Sequence, residues 1–183
     1  MNRRYEVDLE ERIGVGFFSD VYKASWHNHT VAVKVLAPAT SRELFLHEMS
    51  VWKKLQHSNV LLLLGASSAC GDPPWFFVSP FLKNGNLVSF LKINSSPNRS
   101  SGNSGSAIMS KRTLEKVEKR MIYEVAKGME YLHRMDIKHG DLKGTNVLID
   151  DDLHCVIADF GQSEMKSEFY RISNTSPPRK SFI

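Results

Sequence analysis

The sequence has few cysteines and no long apolar segment, and each shortage excludes a class of protein. Its two cysteines, Cys70 and Cys155, form no CxxC pair, so a disulfide framework is not indicated and a reducing compartment is favoured. The longest strongly apolar run covers residues 60–66, far fewer than the roughly 20 residues of a membrane-spanning helix. The charged start, MNRRYEVDLE, lacks the apolar segment of a secretory signal. We therefore expect a soluble, cytoplasmic protein without membrane insertion.

A long run of charge of one sign is also absent. The 24 Lys and Arg residues and the 20 Asp and Glu residues leave a net charge of +4. Because the two signs are interleaved along the chain, a solvated surface is favoured over a nucleic-acid interface. The seven histidines show no spacing typical of metal ligands. The sequence therefore predicts no nucleic-acid partner.

The first third of the chain contains short segments rich in Val, Tyr, Phe and Trp, separated by turn residues, which is typical of strands. The clearest strand covers residues 31–36. From Thr40 the apolar spacing becomes helical, and Thr40 with Glu43 matches a capping box at the start of a helix. Two further strands are predicted within residues 60–68 and 75–79. The pattern indicates a small unit of five strands and one helix.

A second, mainly helical unit is predicted further along the chain. Residues 94–110 lose all periodicity and are rich in Ser, Asn, Gly and Pro, which is typical of a flexible loop. Apolar residues then recur every three or four positions from residue 114 to residue 132, which predicts a long helix. Short strands are expected at residues 146–149 and 154–158, and no regular element is expected after residue 161.

Gly14, Val15 and Gly16 form the first cluster that could carry chemistry. Small residues let the backbone pass close to a ligand and offer its amides to phosphate oxygens. A strand pattern follows the glycines, whereas a dinucleotide-binding turn requires a helix there. We therefore predict a hairpin loop over a phosphate, with a tight turn that binds nothing as the alternative.

Lys34 and Glu48 form the second cluster. Lys34 ends the alternating segment VAVK, and Glu48 lies on the predicted helix that follows. A lone lysine on a strand usually extends to water. Paired with a carboxylate, its ammonium can be held in place to bind phosphate.

Two acidic clusters occur near the end of the second unit. The segment HGDLKGTN, residues 139–146, places Asp141 five residues before Asn146 in a turn, where the pair could hold an attacking hydroxyl and a metal ion. Structural turns also use Asp and Asn. Asp159, in the segment Asp-Phe-Gly at 159–161, offers the oxygen ligand that Mg²⁺ prefers.

Together and in this order the four clusters resemble the signature of eukaryotic-type protein kinases: a glycine loop, VAIK, a helical glutamate, HRDLxxxxN and DFG. The resemblance covers residues 5–161. Within the family, the sequence is similar to the tyrosine kinase-like group of serine/threonine kinases. It implies an α+β, protein kinase-like fold. A five-stranded antiparallel N-terminal lobe with one helix and the hinge would occupy residues 5–82. An incomplete, mainly helical C-terminal lobe would occupy residues 83–161 with a flexible insert at 94–110, and residues 162–183 would be a disordered tail resembling an activation segment.

The resemblance implies that ATP and Mg²⁺ are the cofactors. Lys34 would contact the α- and β-phosphates, and Glu48 would hold Lys34 in place. Ser79 would be the gatekeeper beside a hinge at residues 80–82. The residues expected over the phosphates are Gly14, Val15 and Gly16, and those expected around adenine are Val21, Ala32, Ser79, Phe81, Leu82 and Leu148.

The resemblance further implies transfer of the γ-phosphoryl group to a Ser or Thr hydroxyl of a protein substrate. Asp141 would be the catalytic base, and Asn146 and Asp159 would hold Mg²⁺. Lys143, two residues after Asp141, resembles the serine/threonine-specific form of the loop. An apolar stack linking the two lobes is expected from Trp52, Leu63, His139 and Phe160.

The sequence departs from the family pattern at two loop positions. Ser19 stands at the third loop glycine, where a small side chain would only tune how the loop closes. Gly140 stands where many kinases have an arginine that pairs with a phosphate on the activation segment. Our hypothesis is that phosphorylation-gated activation is absent or weakened in this protein.

Only residues 162–183 follow the Asp-Phe-Gly segment, and they contain no APE motif. We therefore expect an incomplete kinase domain that is unstable alone or depends on a partner protein covering the incomplete lobe. A nucleotide-binding pseudokinase or scaffold module is the main alternative. A small-molecule phosphotransferase with a similar HGD loop is a second, although Lys143 and the intact Asp-Phe-Gly segment argue against it, and a purely structural protein is a third.

Overall fold

The computed structural model describes residues 7–16, 18–67, 75–95 and 111–165. The strands are β1 (Val7–Val15), β2 (Ser19–Trp26), β3 (His29–Leu36), β4 (Gly65–Ser67), β5 (Phe76–Pro80), β6 (Ile137–Lys138), β7 (Val147–Ile149), β8 (Cys155–Ile157) and β9 (Glu164–Met165). The helices are α1 (Arg42–Trp52), α2 (Leu87–Ser95) and α3 (Lys111–Arg134), with a short 3₁₀ helix at Gly144–Asn146. The described residues thus form the mixed α and β fold that the sequence predicted.

The first five strands form one antiparallel sheet in the order β1-β2-β3-β5-β4. The β2–β3 hairpin turns at His27 and Asn28, which have φ angles of 49° and 64°, as a two-residue hairpin loop requires. Strand β3 pairs with β5 so that Lys34 lies opposite Phe77. The register therefore places the phosphate-binding candidate on a central strand beside the strand that leads to the expected hinge.

Helix α1 begins one residue later than expected. Ser41, not Thr40, is the N-cap, and its side-chain oxygen accepts a hydrogen bond from the Leu44 amide at 3.4 Å. Both residues carry the hydroxyl that a cap needs, so sequence pattern alone could not separate them. The buried positions of the helix follow the spacing of an amphipathic helix: Phe45, Glu48, Val51 and Trp52.

The strand predicted within residues 60–68 was too long, because only Gly65–Ser67 forms β4. The apolar residues before it belong to no strand, and the first two of them contact β8. Val60 forms a parallel bridge with Ile157, and the Leu61 amide donates to the Ile157 carbonyl at 2.8 Å. This apolar run therefore joins the sheet unit to the helical unit.

The long helix predicted around residues 114–132 is confirmed as α3. Helix α2 was missed, and it contains the first two residues of the expected loop at 94–110. The expectation of no regular element after residue 161 was wrong for β9, which pairs Ile137 with Met165 and Lys138 with Glu164. The rest of the expected loop, 96–110, and most of the expected tail, 166–183, lie outside the described residues.

One cluster of buried apolar side chains spans both units. It joins β3 and α1 of the first unit to α3, β8 and the Asp-Phe-Gly segment of the second, through residues such as Trp52, Leu132, Ile157 and Phe160. A shared core orients the elements that carry the site relative to each other. Within the described ranges, no helix combines the length and the apolar character needed to cross a membrane.

Candidate active site

The Lys34 ammonium lies between two carboxylates. Its Nζ donates to Glu48 Oε1 at 2.7 Å and to Asp159 Oδ1 at 2.8 Å. The Lys34 and Glu48 side chains are enclosed, with 17% and 7% of their surfaces exposed, whereas the Asp159 side chain is 45% exposed. Strand β3, helix α1 and the segment after β8 thus converge on one cation, and the predicted Lys34–Glu48 pair is present.

The surroundings of Lys34 and Asp159 favour the charged form of each. Burial tends to lower the pKa of Lys34, but the Glu48 and Asp159 carboxylates outweigh it and raise the pKa above 10.5. Burial tends to raise the pKa of Asp159, but the charge and hydrogen bond of Lys34 outweigh it and lower the pKa below 3.8. At neutral pH Lys34 is therefore an ammonium and Asp159 a carboxylate.

The Asp-Phe-Gly turn directs its aspartate and its phenylalanine to different places. Asp159 has a φ angle of 68°, a left-handed conformation that is uncommon for a residue other than glycine. Phe160 is fully buried, and its ring lies 5.7 Å from the ring of Trp52 and 5.5 Å from that of His139. Leu63 packs against the same apolar cluster. The buried phenylalanine anchors the turn, and the aspartate reaches Lys34.

Asp141 has two partners from its own loop. Lys143 Nζ donates to Asp141 Oδ2 at 2.6 Å, and Asn146 Nδ2 donates to the carbonyl and to Oδ2 of Asp141 at 2.9 and 3.1 Å. The hydrogen bond from Lys143 is the main cause that lowers the pKa of Asp141. Both side chains remain accessible, with 37% of Asp141 and 54% of Lys143 exposed. An ionised, accessible carboxylate of this kind can accept a hydroxyl proton.

His139 is a buried residue that holds the Asp141 loop through hydrogen bonds. It is 1% exposed, and its Nε2 lies 3.0 Å from the Ala158 carbonyl, which can only accept. Its Nδ1 accepts from the Asp141 amide at 3.3 Å. The Nε2-protonated tautomer satisfies both contacts, so the ring ties the Asp141 loop to the strand that precedes Asp159.

Gly140 has a steric reason to be glycine. Its φ angle is 84°, and a Cβ atom placed there would overlap the carbonyl oxygen of Gln162. Other residues rarely adopt this conformation, and an arginine could not be accommodated without moving the backbone after the Asp-Phe-Gly turn. The departure from the family pattern at this position therefore accompanies a close approach of two backbone segments.

The glycine loop is the turn between β1 and β2, as predicted. Gly14 pairs with Val21 across the hairpin, and the Gly16 amide donates to the Ser19 carbonyl at 2.8 Å. A Cβ atom on Gly16 would lie 3.0 Å from that carbonyl oxygen, which leaves little room for a side chain. Val15 at the turn is 74% exposed.

The residues predicted around adenine come from four strands and the segment after β5. Val21 lies on β2, Ala32 on β3 opposite Ser79 on β5, and Leu148 on β7. Ser79 is 6% exposed. Phe81 and Leu82 follow β5, where Phe81 lies near Lys23 and Leu82 packs against the shared core. Their assignment to a nucleotide stays a prediction.

The two expected magnesium ligands are Asn146, which bonds Asp141, and Asp159, which bonds Lys34. Asn146 is 8% exposed, and its hydrogen bonds to Asp141 use Nδ2 and not its amide oxygen. Among the described residues, no group of three or more His, Cys, Asp and Glu side chains could hold a metal ion. A single carboxylate and an amide oxygen suit Mg²⁺ that arrives with phosphate oxygens and water, which is its usual mode of binding beside a nucleotide.

Two residues connect the clusters in a way that sequence reasoning did not predict. Ser163 is 1% exposed, and its hydroxyl donates to the His139 carbonyl at 3.0 Å. His47, on α1 beside Glu48, bonds the Ser163 carbonyl through Nε2 at 2.7 Å. A single Ser and a single His belong to no recurring pattern, so only the tertiary structure shows that they meet.

Two comparisons with known proteins agree with this geometry. Residues 7–179 match the family model described as protein tyrosine and serine/threonine kinase. The chain is 32% identical over 177 residues to the serine/threonine-protein kinase CTR1 of Arabidopsis thaliana, a match that covers 93% of the chain and 20% of CTR1. The chain therefore spans about a fifth of the length of that relative. The resemblance found in the sequence is confirmed, and the chain belongs to the protein kinase family.

Proposed function

We propose that this chain binds ATP with Mg²⁺ and transfers the γ-phosphoryl group to a Ser or Thr hydroxyl of a protein. The observation that carries the proposal is the Lys34 ammonium bonded to both Glu48 and Asp159. This arrangement brings a cation and a carboxylate together, and protein kinases use such a lysine and aspartate to hold phosphate and Mg²⁺.

The phosphate side of the site supports ATP binding. Gly14, Val15 and Gly16 would cover the phosphates with backbone amides, and Lys34 would bind their oxygens while Glu48 keeps it in place. Asn146 and Asp159 would hold Mg²⁺, which when bound neutralises negative charge on the transferred group.

The catalytic loop supports transfer to a hydroxyl. Asp141 would orient the substrate hydroxyl and accept its proton, because its carboxylate is ionised and accessible. Lys143 is bonded to Asp141 at 2.6 Å and could contact the transferred phosphoryl group. Its position favours a serine/threonine substrate over tyrosine, and the relative CTR1 is named a serine/threonine-protein kinase.

An apolar groove favours binding of a partner protein. It also favours a second candidate function, that of a scaffold that binds nucleotide without phosphoryl transfer. The groove lies between α2, α3 and the catalytic loop and encloses about 420 Å³. Two of its lining residues, Ile122 and Leu142, are 72% and 44% exposed. Exposed apolar surface of this kind often marks a protein contact. A cytoplasmic location, where ATP and Mg²⁺ are available, forms part of both candidates.

Nucleotide titration and phosphoryl transfer separate these functions. Binding of a fluorescent ATP analogue would be measured with and without Mg²⁺, and transfer from labelled ATP to a Ser/Thr-containing protein would be compared between the unmodified chain and Asp141→Asn. Binding and transfer, with transfer lost in the variant, support a kinase. Binding without transfer supports the scaffold, and transfer only to small hydroxyl compounds supports a small-molecule phosphotransferase. No binding contradicts all three.

A further inference from the structure

One buried residue, Ser163, joins three parts of the site. Its amide donates to the Phe160 carbonyl at 3.0 Å, and its hydroxyl donates to the His139 carbonyl at 3.0 Å. Its own carbonyl lies 2.7 Å from His47 Nε2. The Asp-Phe-Gly turn, the catalytic loop and helix α1 therefore meet at this residue.

Helix α1 carries two contacts in adjacent positions. Glu48 bonds Lys34, and the preceding residue, His47, bonds Ser163. Because a carbonyl oxygen only accepts, His47 Nε2 is the donor, and both the neutral ring protonated at Nε2 and the charged ring can fill this role. A displacement of α1 would break the Lys34 contact and the Ser163 contact together.

The catalytic loop lies at the other end of this chain of contacts. The His139 carbonyl accepts from Ser163, and its ring accepts from the Asp141 amide. Gly140 lies between His139 and Asp141. Because it has no side chain, the Gln162 carbonyl can occupy the space that a side chain would need. The backbone after the Asp-Phe-Gly turn is thus packed directly onto the loop, and β9 continues the contact by pairing with β6.

We propose that Ser163, acting with His47, is a positioning residue that couples the place of α1 to that of the catalytic loop. The Lys34–Glu48 pair and Asp141 then become aligned together. The link consists of a hydroxyl, an imidazole and backbone carbonyls, so it requires no phosphorylated side chain. Its catalytic meaning rests on the proposed function, whereas the coupling itself is a property of the folded chain.

Amide hydrogen exchange of the whole chain tests the coupling without requiring activity. His47→Leu and Ser163→Ala should each speed exchange across residues 141–146 by about three- to tenfold, because the loss of one hydrogen bond shifts a local opening equilibrium by roughly this factor. The double variant should exchange no faster than the faster single variant, since both changes interrupt one link. Additive effects would overturn the proposal.

Two further variants separate positioning from simple loss of structure. Ser50→Ala removes a hydroxyl that bonds the His47 carbonyl within α1 at 2.8 Å, so exchange in the catalytic loop should not change. His47→Gln keeps an N–H donor on a side chain of similar reach and should restore slow exchange. The proposal is wrong if His47→Leu leaves the loop unchanged or if His47→Gln behaves like His47→Leu. These His47 variants keep the test decisive even if Ser163→Ala does not fold.

Nucleotide binding by the unmodified chain distinguishes a failure of this inference from a failure of the proposed function. If the chain binds no ATP with Mg²⁺, the proposed function is wrong, while the exchange results still decide the coupling. If the chain transfers phosphate, His47→Leu should lower kcat by about three- to tenfold, the factor expected for loss of one hydrogen bond, and His47→Gln should restore it. A normal kcat in His47→Leu would contradict the catalytic role assigned to the link.

Discussion

The two charged clusters of the site are built in opposite ways, and the Lys34 cluster is the long-range one. Lys34 bonds Glu48 and Asp159, which lie 14 and 125 residues away along the chain. Its ammonium and the Glu48 carboxylate are mostly enclosed. The cluster therefore exists only when β3, α1 and the Asp-Phe-Gly turn are packed together.

The Asp141 cluster is local and accessible. Lys143 and Asn146, its partners, are two and five residues away in the same loop. More than a third of the Asp141 and Lys143 side chains is exposed, at 37% and 54%, so solvent screens their attraction. The comparison teaches that the charges of one site can be held in different ways: the enclosed cluster depends on long-range packing, whereas the exposed cluster, for which we propose the catalytic role, depends on a single loop.

The largest effect is expected from Lys34→Met. The variant leaves the buried Glu48 carboxylate without its cation, which typically costs about 3–5 kcal/mol in the free energy of unfolding. Binding of ATP with Mg²⁺ should also be lost. Chemical denaturation and nucleotide titration measure the two effects. The control is Lys83→Met, which breaks an exposed pair with Asp151, 62% exposed on each side, and should change stability by only about 0–1 kcal/mol. Similar losses in the two variants would remove the distinction between enclosed and exposed charges.

Asp141→Asn should separate chemistry from stability. The amide oxygen can still accept the hydrogen bonds from Lys143 and Asn146, so the melting transition should stay where it is in the unmodified chain. Phosphoryl transfer should fall by about 10²–10⁴-fold because Asp141 is the proposed general base. Calorimetry and transfer from labelled ATP measure the two quantities. A large loss of stability would show that the local cluster also supports the fold.

Glu124→Gln tests whether the loss of a buried carboxylate outside the Lys34 cluster lowers stability without lowering ATP affinity. Glu124, on α3, accepts from the Cys155 amide at 2.8 Å and bonds His154 at 2.6 Å and Arg120 at 3.4 Å. Weakening these contacts should cost about 1–3 kcal/mol but leave ATP affinity unchanged. Glu115→Gln, on an exposed turn of the same helix, is the control and should change neither stability nor ATP affinity. Reduced affinity in Glu124→Gln would mean that binding follows stability and not the Lys34 cluster.

The smallest effects are shifts in carboxyl pKa values, measurable by NMR titration. Lys34→Met should raise the pKa of Asp159, because burial remains while the main causes that lower it disappear. Lys143→Met should raise the pKa of Asp141, because its main hydrogen bond is lost. If each variant shifts mainly its own aspartate, the two clusters are independent. Equal shifts of both aspartates would show that they titrate as one unit.

The same pKa shifts define how each group contributes to stability across pH. The folded pKa of Asp159 lies below 3.8, so its contribution is complete above pH 3.8 and is lost as the pH falls through the folded value. The folded pKa of Lys34 lies above 10.5, so its contribution is complete below pH 10.5 and is lost as the pH rises through the folded value. Lys34→Met should abolish the alkaline dependence and weaken or reverse the acid dependence, because burial still raises the pKa of Asp159 in the variant. Thermal melts at acid and alkaline pH measure both.

Local patterns in the sequence were enough to predict most elements and part of the site. Alternating residues marked β3, and helical spacing marked α1 and α3. The Lys34–Glu48 pair followed from a strand lysine and a glutamate on the next helix. The strands and helices depend on residues close in sequence, where side-chain periodicity reports directly which face is buried. The pair depended in addition on the packing of α1 against the sheet.

Other features were not visible in local patterns. Thr40 and Ser41 both carry the hydroxyl that an N-cap needs, and only the structure shows that Ser41 fills this position. Strand β9 is only two residues long and has no periodicity to detect. Helix α2 has a single buried residue, Phe90, which is too weak a pattern to separate from a loop.

By itself, the sequence determined the order of the motifs, the five-stranded unit and the residue types that phosphate and magnesium chemistry requires. Only the tertiary structure decided that Asp159 reaches Lys34, that Gly140 makes room for Gln162, and that Ser163 joins α1 to the catalytic loop. The physical reason is that these contacts join residues far apart in sequence. They require the two units to pack together on the shared core in which Phe160 is buried.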